Sequence, residues 1–501
     1  MLTDAHARSP QTDLTLAPIF QNTGKIMNEP LHLLPVSELG RRLRSGMISA
    51  SQLTEYFLNR IARFNPHVHA FIHFDPIQAR VAAEQADREL ALGVSRGPLH
   101  GIPYALKDIF DVAGTATTCH SYLMRDNIAL TNASVHQLMK NGGAIYLGKL
   151  ATHEFALGGP GFDLPFPPAR NPWHLAHFTG ASSSGAGAAI AAGLCPVALG
   201  SDTSGSIRGP ACLCGVVGFK PTYGLVSRAG VYPLSWSLDH CGPLTRFAAD
   251  AALVMDVIAG QDDRDPTTVC QAFTFTSEEP AELSGVRIAW PRHMLTESSY
   301  TDSDLIELMD MHVATLRARG AIVEEINFEH YALFNACGRV LMSAESFTIH
   351  QDMLRGRARE YGRYTYQRLI AGAAVSAAEL IVAQQIRAEL TGWINNRIFS
   401  DYTLLLFPSS LRAAPTFTEF GADWPPDPGV VPGRTIPFNV CGNPAINLPI
   451  GLSAKGLPLG IQMVGAPFDD KNLLNFARAF EGQVIMPAAQ ESLFTREECP
   501  S

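Results

Sequence analysis

The stretch that most restricts how this chain can fold is the segment from Phe178 to Ser227, which is unusually rich in small residues and hydroxyls. Between Thr179 and Gly187 only Thr, Gly, Ala and Ser occur, so this part carries almost no side-chain bulk. Three consecutive serines, 182–184, come shortly before an apolar run, Ala188 to Ala192, that predicts a helix. Backbone N–H groups at a helix start, flanked by hydroxyls, can hold an anion or an oxyanion.

A second segment of the same kind follows, with the sequence DTSGSIR from Asp202 to Arg208. Two hydroxyl-rich, low-bulk segments so close together favour acyl-transfer chemistry over simple packing.

Lys107 follows the apolar run Ile102 to Leu106, which predicts a buried strand with the lysine at its inner end. Burial disfavours the charged form of an amine, so it lowers the pKa of a lysine and can leave a neutral base. A salt bridge to Asp108 is the structural alternative. The serine-rich segments weaken this alternative, because a serine nucleophile needs a base.

With these three segments in view, the chain resembles the amidase signature hydrolases, which use a lysine, a serine held by a cis peptide and a nucleophilic serine. GIPYALKD matches the motif of the family lysine, GASSSG that of the bridging serine and DTSGSIR that of the nucleophile. These motifs identify Lys107, Ser182 and Ser206, and the two serines are 24 residues apart, as in the family. Further similar segments extend the resemblance over about Leu33 to Glu481.

The resemblance implies an α/β fold, a large mixed β-sheet covered by α-helices on both sides. It implies one domain over residues 31–485, with a catalytic core at about 95–260 and a more variable helical region at about 300–400 that supplies part of the pocket wall. Residues 1–30 would then be a flexible arm and 486–501 a C-terminal tail.

The resemblance also implies a mechanism. Neutral Lys107 takes a proton from Ser182, which takes one from Ser206, and Ser206 attacks the carbonyl carbon. The backbone N–H groups of residues 203–206 stabilise the oxyanion. The implied oxyanion and substrate-binding residues are Thr203, Ser204, Gly205 and Ala156, and the implied supporting residues are Asp202, Arg208 and Ser183.

The supporting pair Asp202 and Arg208 has two interpretations, orientation of the nucleophile segment or a purely structural ion pair. Two departures from the family pattern concern pocket shape and substrate choice more than activity. Ser204-Gly205 stands where the family usually has Gly-Gly, and Ala181 and Ser184 stand where the first motif usually has glycines.

A Ser-His-Asp triad is the rival mechanism. The chain has 16 histidines but no Gly-x-Ser-x-Gly segment, since Gly180 and Gly185 of GASSSG bracket four residues. His153 and His240 lie in segments similar to pocket regions of the family, and both are interpreted as structural rather than catalytic.

Periodicity predicts individual elements outside the motifs. Three helices are expected near the N-terminus, the second ending at Asn65-Pro66, and residues 262–301 are expected to form a linker. The expected helices are Ser37–Arg44, Ser51–Phe64 and Ala79–Leu92, and the expected strands include Leu404–Phe407 and Ile461–Val464. By resemblance, Phe162–Trp173, Tyr232–Trp236 and Ile436–Asn439 line the site, with apolar walls that favour uncharged, hydrophobic acyl groups.

Composition excludes several classes of protein. The net charge of −9 and the absence of a basic stripe argue against nucleic-acid binding. No apolar run reaches the roughly 20 residues of a membrane span, and the first residues lack the apolar core of a secretion signal, which predicts a cytoplasmic protein. Nine scattered cysteines form neither a disulfide framework nor a zinc motif, and no metal or cofactor is expected.

The predicted function is hydrolysis of a carbonyl C–N bond in an amide, anilide or carbamate, with side activity on esters, as in a stand-alone amidase or urethanase. The alternative is the glutaminase subunit of a tRNA-dependent amidotransferase, which shares the three motifs. The FDLPFPPARNPW segment favours the stand-alone enzymes. The expected partner is a small-molecule substrate, and a homodimer is left open.

Overall fold

An eleven-stranded mixed β-sheet organises the chain in the computed structural model, which describes residues 30–275, 281–481, 486–489 and 491. The spatial order of the strands is β1-β3-β2-β4-β6-β5-β10-β11-β9-β7-β8. The strands are β1 (Phe71–Phe74), β2 (Pro103–Lys107), β3 (Ile145–Leu150), β4 (Val197–Asp202), β5 (Val217–Lys220), β6 (His240–Thr245), β7 (Arg287–Trp290), β8 (Ile322–Glu325), β9 (Leu404–Pro408), β10 (Ala445–Leu452) and β11 (Pro458–Val464).

Fourteen α-helices of the described residues flank this sheet, so the α/β fold class with a large mixed sheet is confirmed. The helices are α1 (Val36–Arg44), α2 (Ala50–Val68), α3 (Pro76–Ala91), α4 (Ser134–Asn141), α5 (Ser184–Ala191), α6 (Arg208–Cys214), α7 (Ala248–Ile258), α8 (His293–Thr296), α9 (Ser303–Ala318), α10 (Tyr331–Arg357), α11 (Arg363–Ala371), α12 (Ala377–Arg397), α13 (Pro437–Val440) and α14 (Asp470–Glu481). One-turn 3₁₀ helices lie at Leu31–Leu33, Tyr122–Met124, Glu154–Ala156, Ala358–Glu360, Gly372–Ala374 and Phe417–Glu419.

The N-terminal helices begin and end close to the expected residues, with one correction. Helix α2 starts after Ser49, whose side chain accepts a hydrogen bond from the Gln52 N–H in a capping box. It does not stop at Asn65-Pro66 but continues to Val68. A proline keeps a helical φ and loses only one backbone hydrogen bond near the helix end, and the His69 N–H still closes the last turn on the Asn65 carbonyl.

The expected linker over residues 262–301 is wrong, because β7 and α8 lie inside it. β7 pairs in parallel with β8 on one side and with β9 on the other. β9 lies more than 100 residues after β7 in the chain. β8 also interrupts the region expected to be helical. A four-residue strand carries too little periodicity to be recognised alone, and its partners are supplied by tertiary structure.

The arrangement of β2 and β4 positions the candidate site. These strands are parallel neighbours, with Tyr104 opposite Val197 and Leu106 opposite Leu199. Their carboxyl ends therefore lie at the same edge of the sheet, where β2 ends at Lys107 and β4 ends at Asp202.

Several predictions about the chain's ends and organisation are left without a test. Residues 1–29 of the expected arm and most of the expected tail lie outside the described residues, and the boundaries of a domain over 31–485 stay a prediction. Within the described residues no single helix is long and apolar enough to cross a membrane. One pair bent by 96°, residues 363–374 and 377–397, has the required length and composition. The eight cysteines of the described residues are free.

Candidate active site

Lys107 lies at the end of β2 with its side chain fully buried. Its Nζ is 2.7 Å from the Ser182 Oγ and 2.8 Å from the Ser201 Oγ. Burial lowers the pKa of this amine to about 7, against a weaker opposite effect of nearby carboxylates such as Asp239. Near neutral pH the amine is therefore divided between its neutral and charged forms.

The salt bridge considered as the alternative role of Lys107 is not present. Asp108 instead faces Lys149, whose Nζ is 3.4 Å from the Asp108 Oδ1. Both groups are fully buried, and the Thr118 backbone N–H also donates to the Asp108 carboxylate at 3.1 Å. Among the described residues, the side-chain hydrogen bonds of Lys107 are therefore those to the hydroxyl groups of Ser182 and Ser201.

Ser182 lies just before α5 and is 1% exposed. The peptide bond between Ala181 and Ser182 is cis. The Ser182 carbonyl accepts hydrogen bonds from the His153 N–H and the Thr152 Oγ, each at 3.1 Å. These contacts fix the backbone from which the Ser182 side chain reaches Lys107.

Ser206 lies between β4 and α6, is 7% exposed and lines the same cavity as Ser182. Its carbonyl accepts a hydrogen bond from the Ser183 N–H at 3.1 Å, which joins the two serine-bearing segments. The Ser183 Oγ also donates a hydrogen bond, to the Ser201 carbonyl at 3.2 Å.

The backbone N–H groups around Ser206 differ in their availability. The Gly205 N–H donates to the Asp202 Oδ1 at 2.7 Å. Among the described residues, the N–H groups of Thr203, Ser204 and Ser206 have no acceptor. Three of the four expected donors are therefore available to a ligand in this geometry.

Asp202 and Arg208 form a fully buried ion pair, with 2.9 Å between the Asp202 Oδ1 and an Arg208 Nη. Burial raises the pKa of the Asp202 carboxyl, but the Arg208 guanidinium outweighs it and the pKa lies far below the usual value. Asp202 also accepts from the N–H groups of Ile207 and Arg208 at 3.1 and 3.3 Å. The pair thus holds the backbone of the Ser206 segment, which combines the two interpretations given from the sequence.

The other partners of this pair come from the far end of the chain. The Arg208 guanidinium donates to the Thr435 carbonyl, the Gln462 Oε1 and the Asn439 Oδ1 at 3.0, 2.8 and 2.6 Å. Sequence reasoning missed these residues, because no spacing links positions more than 200 residues apart.

A cavity of about 570 Å³ contains Ser182 and Ser206. Ala156 lies in its wall as expected, in a left-handed conformation with φ 59° and with its N–H donated to the His153 carbonyl at 2.8 Å. The expected contribution of the helical region is present in α10 and α11. The wall residues from these helices are Tyr331, Asn335, Arg339, Met342, Ser343, Ser346, Gln367, Arg368 and Ala371.

One expectation about the wall needs correction. Phe162–Trp173 does not reach this cavity, and Phe162 is 65% exposed, because the pocket is closed by helices and by residues from 409 onward instead. Of the other two segments only Leu234 and Ile436 line it. The wall is mainly apolar, as expected, but Arg339 and Arg368 also face it with Asn335 and Gln367.

The two arginines of the wall have no carboxylate partner among the described residues. Arg368 donates to the Leu157 carbonyl and stacks on Trp424, 4.2 Å from the ring centroid. Burial, with repulsion from Arg339, lowers the pKa of Arg368 to about 9. The cavity can therefore accommodate a negatively charged or strongly polar group of a ligand.

The histidines have other partners. The His153 Nδ1 contacts the Gly158 carbonyl at 2.8 Å, and the His240 Nδ1 contacts the Leu238 carbonyl at 2.7 Å. Burial lowers the pKa of His153 to about 3 and that of His240 well below its usual value. In the described part of the chain no histidine ring hydrogen-bonds Ser182 or Ser206.

The sequence analysis missed two further residues of the site. Ser201 contacts Lys107, and the Asp239 carboxylate accepts a 2.6 Å hydrogen bond from the Thr203 Oγ. Ser201 stands directly before the motif DTSGSIR and Asp239 directly before His240, but nothing in their spacing assigns either residue a role. The described residues contain no group of three or more His, Cys, Asp or Glu that could hold a metal ion.

Comparisons with known proteins cover most of the chain. A family model described as Amidase matches residues 52–474. The Mycobacterium tuberculosis protein that carries the name amidase AmiD is 36% identical over 459 residues, which are 91% of this chain and 95% of AmiD. A glutamyl-tRNA(Gln) amidotransferase subunit from Trichlorobacter lovleyi is 36% identical over 471 residues, with 89% and 96% covered. The solved structure of the peptide amidase of Stenotrophomonas maltophilia is 28% identical, with a TM-score of 0.77 over 91% of this chain and 98% of that chain.

Proposed function

We propose, from the premise that this chain belongs to the amidase signature family of C–N hydrolases, that it cleaves small-molecule amides through an acyl-enzyme on Ser206. The observation that carries the proposal is the 2.7 Å contact between the buried Lys107 Nζ and the Ser182 Oγ, at the wall of the cavity that holds Ser206. A lysine whose pKa is lowered to about 7 by burial can act as a base at neutral pH.

In the proposed first step, Lys107 and Ser182 activate the nucleophile. The neutral Lys107 amine accepts the Ser182 hydroxyl proton while Ser182 accepts the Ser206 proton, and the Ser206 Oγ forms a bond to the substrate carbonyl carbon. The carbonyl π electrons move to the oxygen, which becomes an oxyanion. The protonated Lys107 lies near Asp202 and Asp239, whose charges favour the ammonium form.

The oxyanion is stabilised by the N–H groups of Thr203, Ser204 and Ser206, whose availability supports this role. Removing one such donor typically costs about 3–4 kcal/mol of transition-state stabilisation. Gly205 contributes in a different way from that first expected, since its N–H is bonded to Asp202 and so fixes the path of the loop.

Collapse of the tetrahedral intermediate breaks the C–N bond. The proton returns from Lys107 through Ser182 to the leaving nitrogen, which would otherwise be too basic to depart. A water molecule then gives its proton to the same relay and attacks the acyl-enzyme. The products are a carboxylic acid and an amine, with Ser206 regenerated.

The substrate class is proposed as amides, with anilides, carbamates and activated esters as further substrates, because all of them react through the same groups. The four polar residues Arg339, Arg368, Asn335 and Gln367 in the otherwise mainly apolar wall favour substrates that carry both an apolar and a polar or anionic group. A panel of an anilide, an aliphatic amide, an ester, ethyl carbamate and glutamine measures this preference as kcat/KM.

Glutamine hydrolysis for an amidotransferase is the second candidate, and the two arginines without a carboxylate partner favour it. Glutamine presents a carboxylate four bonds or more from its amide, which Arg339 or Arg368 could bind. Hydrolysis of glutamine at least about tenfold faster than of a neutral amide of the same length would support this candidate. A cofactor-free enzyme, a cytoplasmic location and a homodimer stay predictions.

Replacement of the nucleophile is the direct experiment. Ser206→Ala should abolish turnover of every substrate while leaving the fold intact, because only one small hydroxyl is removed. Ser343→Ala, a serine of the same cavity on α10, is the matched control and should keep near-normal kcat. The enzyme is allowed to react with an activated ester and is then quenched. Mass spectrometry should find the acyl group on Ser206, and an acyl group on another residue would contradict the assignment.

A further inference from the structure

A second cavity, of about 280 Å³, contains in its wall Ser201, the second hydroxyl partner of Lys107. Its wall includes the buried Ser201 and, toward solvent, the half-exposed Trp236 and the exposed Arg264. Leu234 lies in the wall of both cavities. The proposed base therefore contacts one serine from the wall of each cavity, Ser182 of the substrate cavity and Ser201 of the second cavity.

The hydrogen bonds of Lys107 connect these two cavities. A neutral amine has one lone pair and two N–H groups, and the lone pair must face the Ser182 hydroxyl to accept its proton. An N–H group then faces the Ser201 Oγ, at 2.8 Å. The described residues offer the Ser201 hydroxyl proton no acceptor other than the Lys107 Nζ, so this O–H can turn into the second cavity.

We propose that Ser201 and the second cavity form the route by which Lys107 exchanges its proton with solvent while the substrate cavity is occupied. The Lys107 ammonium gives one proton to the Ser201 Oγ, and Ser201 passes its own hydroxyl proton to a water molecule in the cavity. One positive charge leaves the site, and no bond between heavier atoms changes. This inference rests on the proposed function of Lys107 as the base.

In turnover of an activated ester, Lys107 must lose a proton to solvent. The leaving group departs as an anion without taking the Ser206 proton, so this proton stays on Lys107 while the acyl group on Ser206 covers the substrate side of the relay. Among the charged groups in the wall of the second cavity, Asp239 and Asp265 favour a departing proton and Arg228 and Arg264 oppose it, with Arg228 paired to Asp265. The titratable groups that face Lys107 are Asp202, Asp239, Cys119, Cys241 and His153.

Stopped-flow measurement of two signals tests the route. With 4-nitrophenyl acetate in weak buffer, nitrophenol reports acylation of the enzyme and a pH-indicator dye reports the proton that reaches solvent. The variants are Ser201→Ala, Ser201→Thr, which keeps the hydroxyl, and Val231→Trp, which fills the second cavity from its wall. Val231→Ala is the matched control for the last one.

In the wild type and in Ser201→Thr both signals should appear together. Ser201→Ala should keep the burst of nitrophenol, while proton release and steady-state turnover fall by at least about tenfold. Its amide pH profile should shift to lower pH, because an acceptor that favours the Lys107 ammonium is lost. Val231→Trp should delay proton release several-fold, and Val231→Ala should not.

Unchanged proton release and an unchanged pH profile in Ser201→Ala would overturn the inference, as would equal losses in Ser201→Ala and Ser201→Thr. If Ser201→Ala does not fold, Val231→Trp decides, and proton release at the wild-type rate in that variant overturns the route. A wild-type enzyme without a nitrophenol burst and without amide hydrolysis would contradict the proposed function instead.

Discussion

Lys107 acquires its chemistry from its surroundings, since an ordinary lysine stays protonated far above neutral pH. Burial lowers its pKa from 10.5 to about 7, so the neutral base forms as the pH rises through about 7. We therefore expect kcat/KM for an amide to increase through this range and to stay high in alkaline solution. A pH profile of kcat/KM checks this, and a profile that falls above pH 7 would contradict it.

An ordinary histidine would titrate at a similar pH, so replacement of Lys107 completes this prediction. Lys107→Ala should abolish hydrolysis of amides and reduce that of activated esters less, because an activated alcohol departs without a proton. Wild-type amide hydrolysis in Lys107→Ala would refute the mechanism.

Ser182 allows the catalytic and structural interpretations to be separated in one protein. The N-cap of α5 is Ser183, and no side chain caps that helix, so Ser182→Ala removes no helix cap. Its rate on amides should fall by about 10²–10⁴-fold through loss of proton transfer. The free energy of unfolding should change by less than the about 1 kcal/mol typical of a lost cap. Kinetics and chemical denaturation of the same preparation provide both values, and a stability loss with near-normal activity would contradict the relay.

At the level of single elements, the loop between β4 and α6 is held from two sides. The Asp202–Arg208 pair holds it from within, and Thr435 approaches it from outside. Gly205 has φ +123°, and a Cβ there would lie 2.0 Å from the Thr435 Oγ. A side chain at Gly205 therefore requires both an unfavourable backbone conformation and movement of Thr435.

Gly205→Ala should lower both kcat and stability. Strain of this kind costs about 1–3 kcal/mol, and displacement of the loop also moves the Ser206 N–H and hydroxyl. Gly209→Ala is the matched control, because a Cβ there meets only the Ala181 carbonyl at an ordinary 3.4 Å. Thermal unfolding and kcat of the two variants can be compared directly, and equal effects would show that the conformation of Gly205 is not required.

The elements also show what the sequence could predict. The placement of Lys107 at the end of a buried strand and the helix after the serines required only local apolar runs, and both are present, the helix starting earlier, at Ser184. β7 and β8 were missed because four residues carry little periodicity. The wall formed by α10 and α11 and the contacts of Arg208 depend on tertiary packing, which no local pattern encodes.

Across the whole molecule, Glu154, in the one-turn helix that follows β3, is linked to the start of α11, one of the helices in the cavity wall. Its fully buried carboxyl accepts hydrogen bonds from the Ser121 Oγ at 2.5 Å and from the Gly362 N–H, next to α11, at 2.9 Å. Burial raises its pKa from 4.5 to about 7 despite these hydrogen bonds. Since the folded state holds this proton more tightly, the contribution to stability is complete below pH 4.5 and is lost as the pH rises through about 7.

Glu154→Gln should therefore reduce the loss of stability between pH 4.5 and 8, by an amount on the order of 3 kcal/mol. Glutamine keeps the acceptor for Gly362 but cannot ionise. The difference between the Tm curves of wild type and variant isolates this effect from other groups, including Glu481, whose pKa burial also raises to about 7. Parallel curves over this range would contradict the assignment.

The strand order has a consequence for how the protein is made. Lys107, Ser182 and Ser206 leave the ribosome early, but Arg208 is anchored by Thr435, Asn439 and Gln462, which are 227 to 254 residues further along. β10 and β11 also enter the sheet between β5 and β9, so they join its two halves last. A nascent or truncated chain that stops before these strands carries every reactive group without the frame that aligns them. We therefore expect hydrolytic activity only from chains that extend through β11.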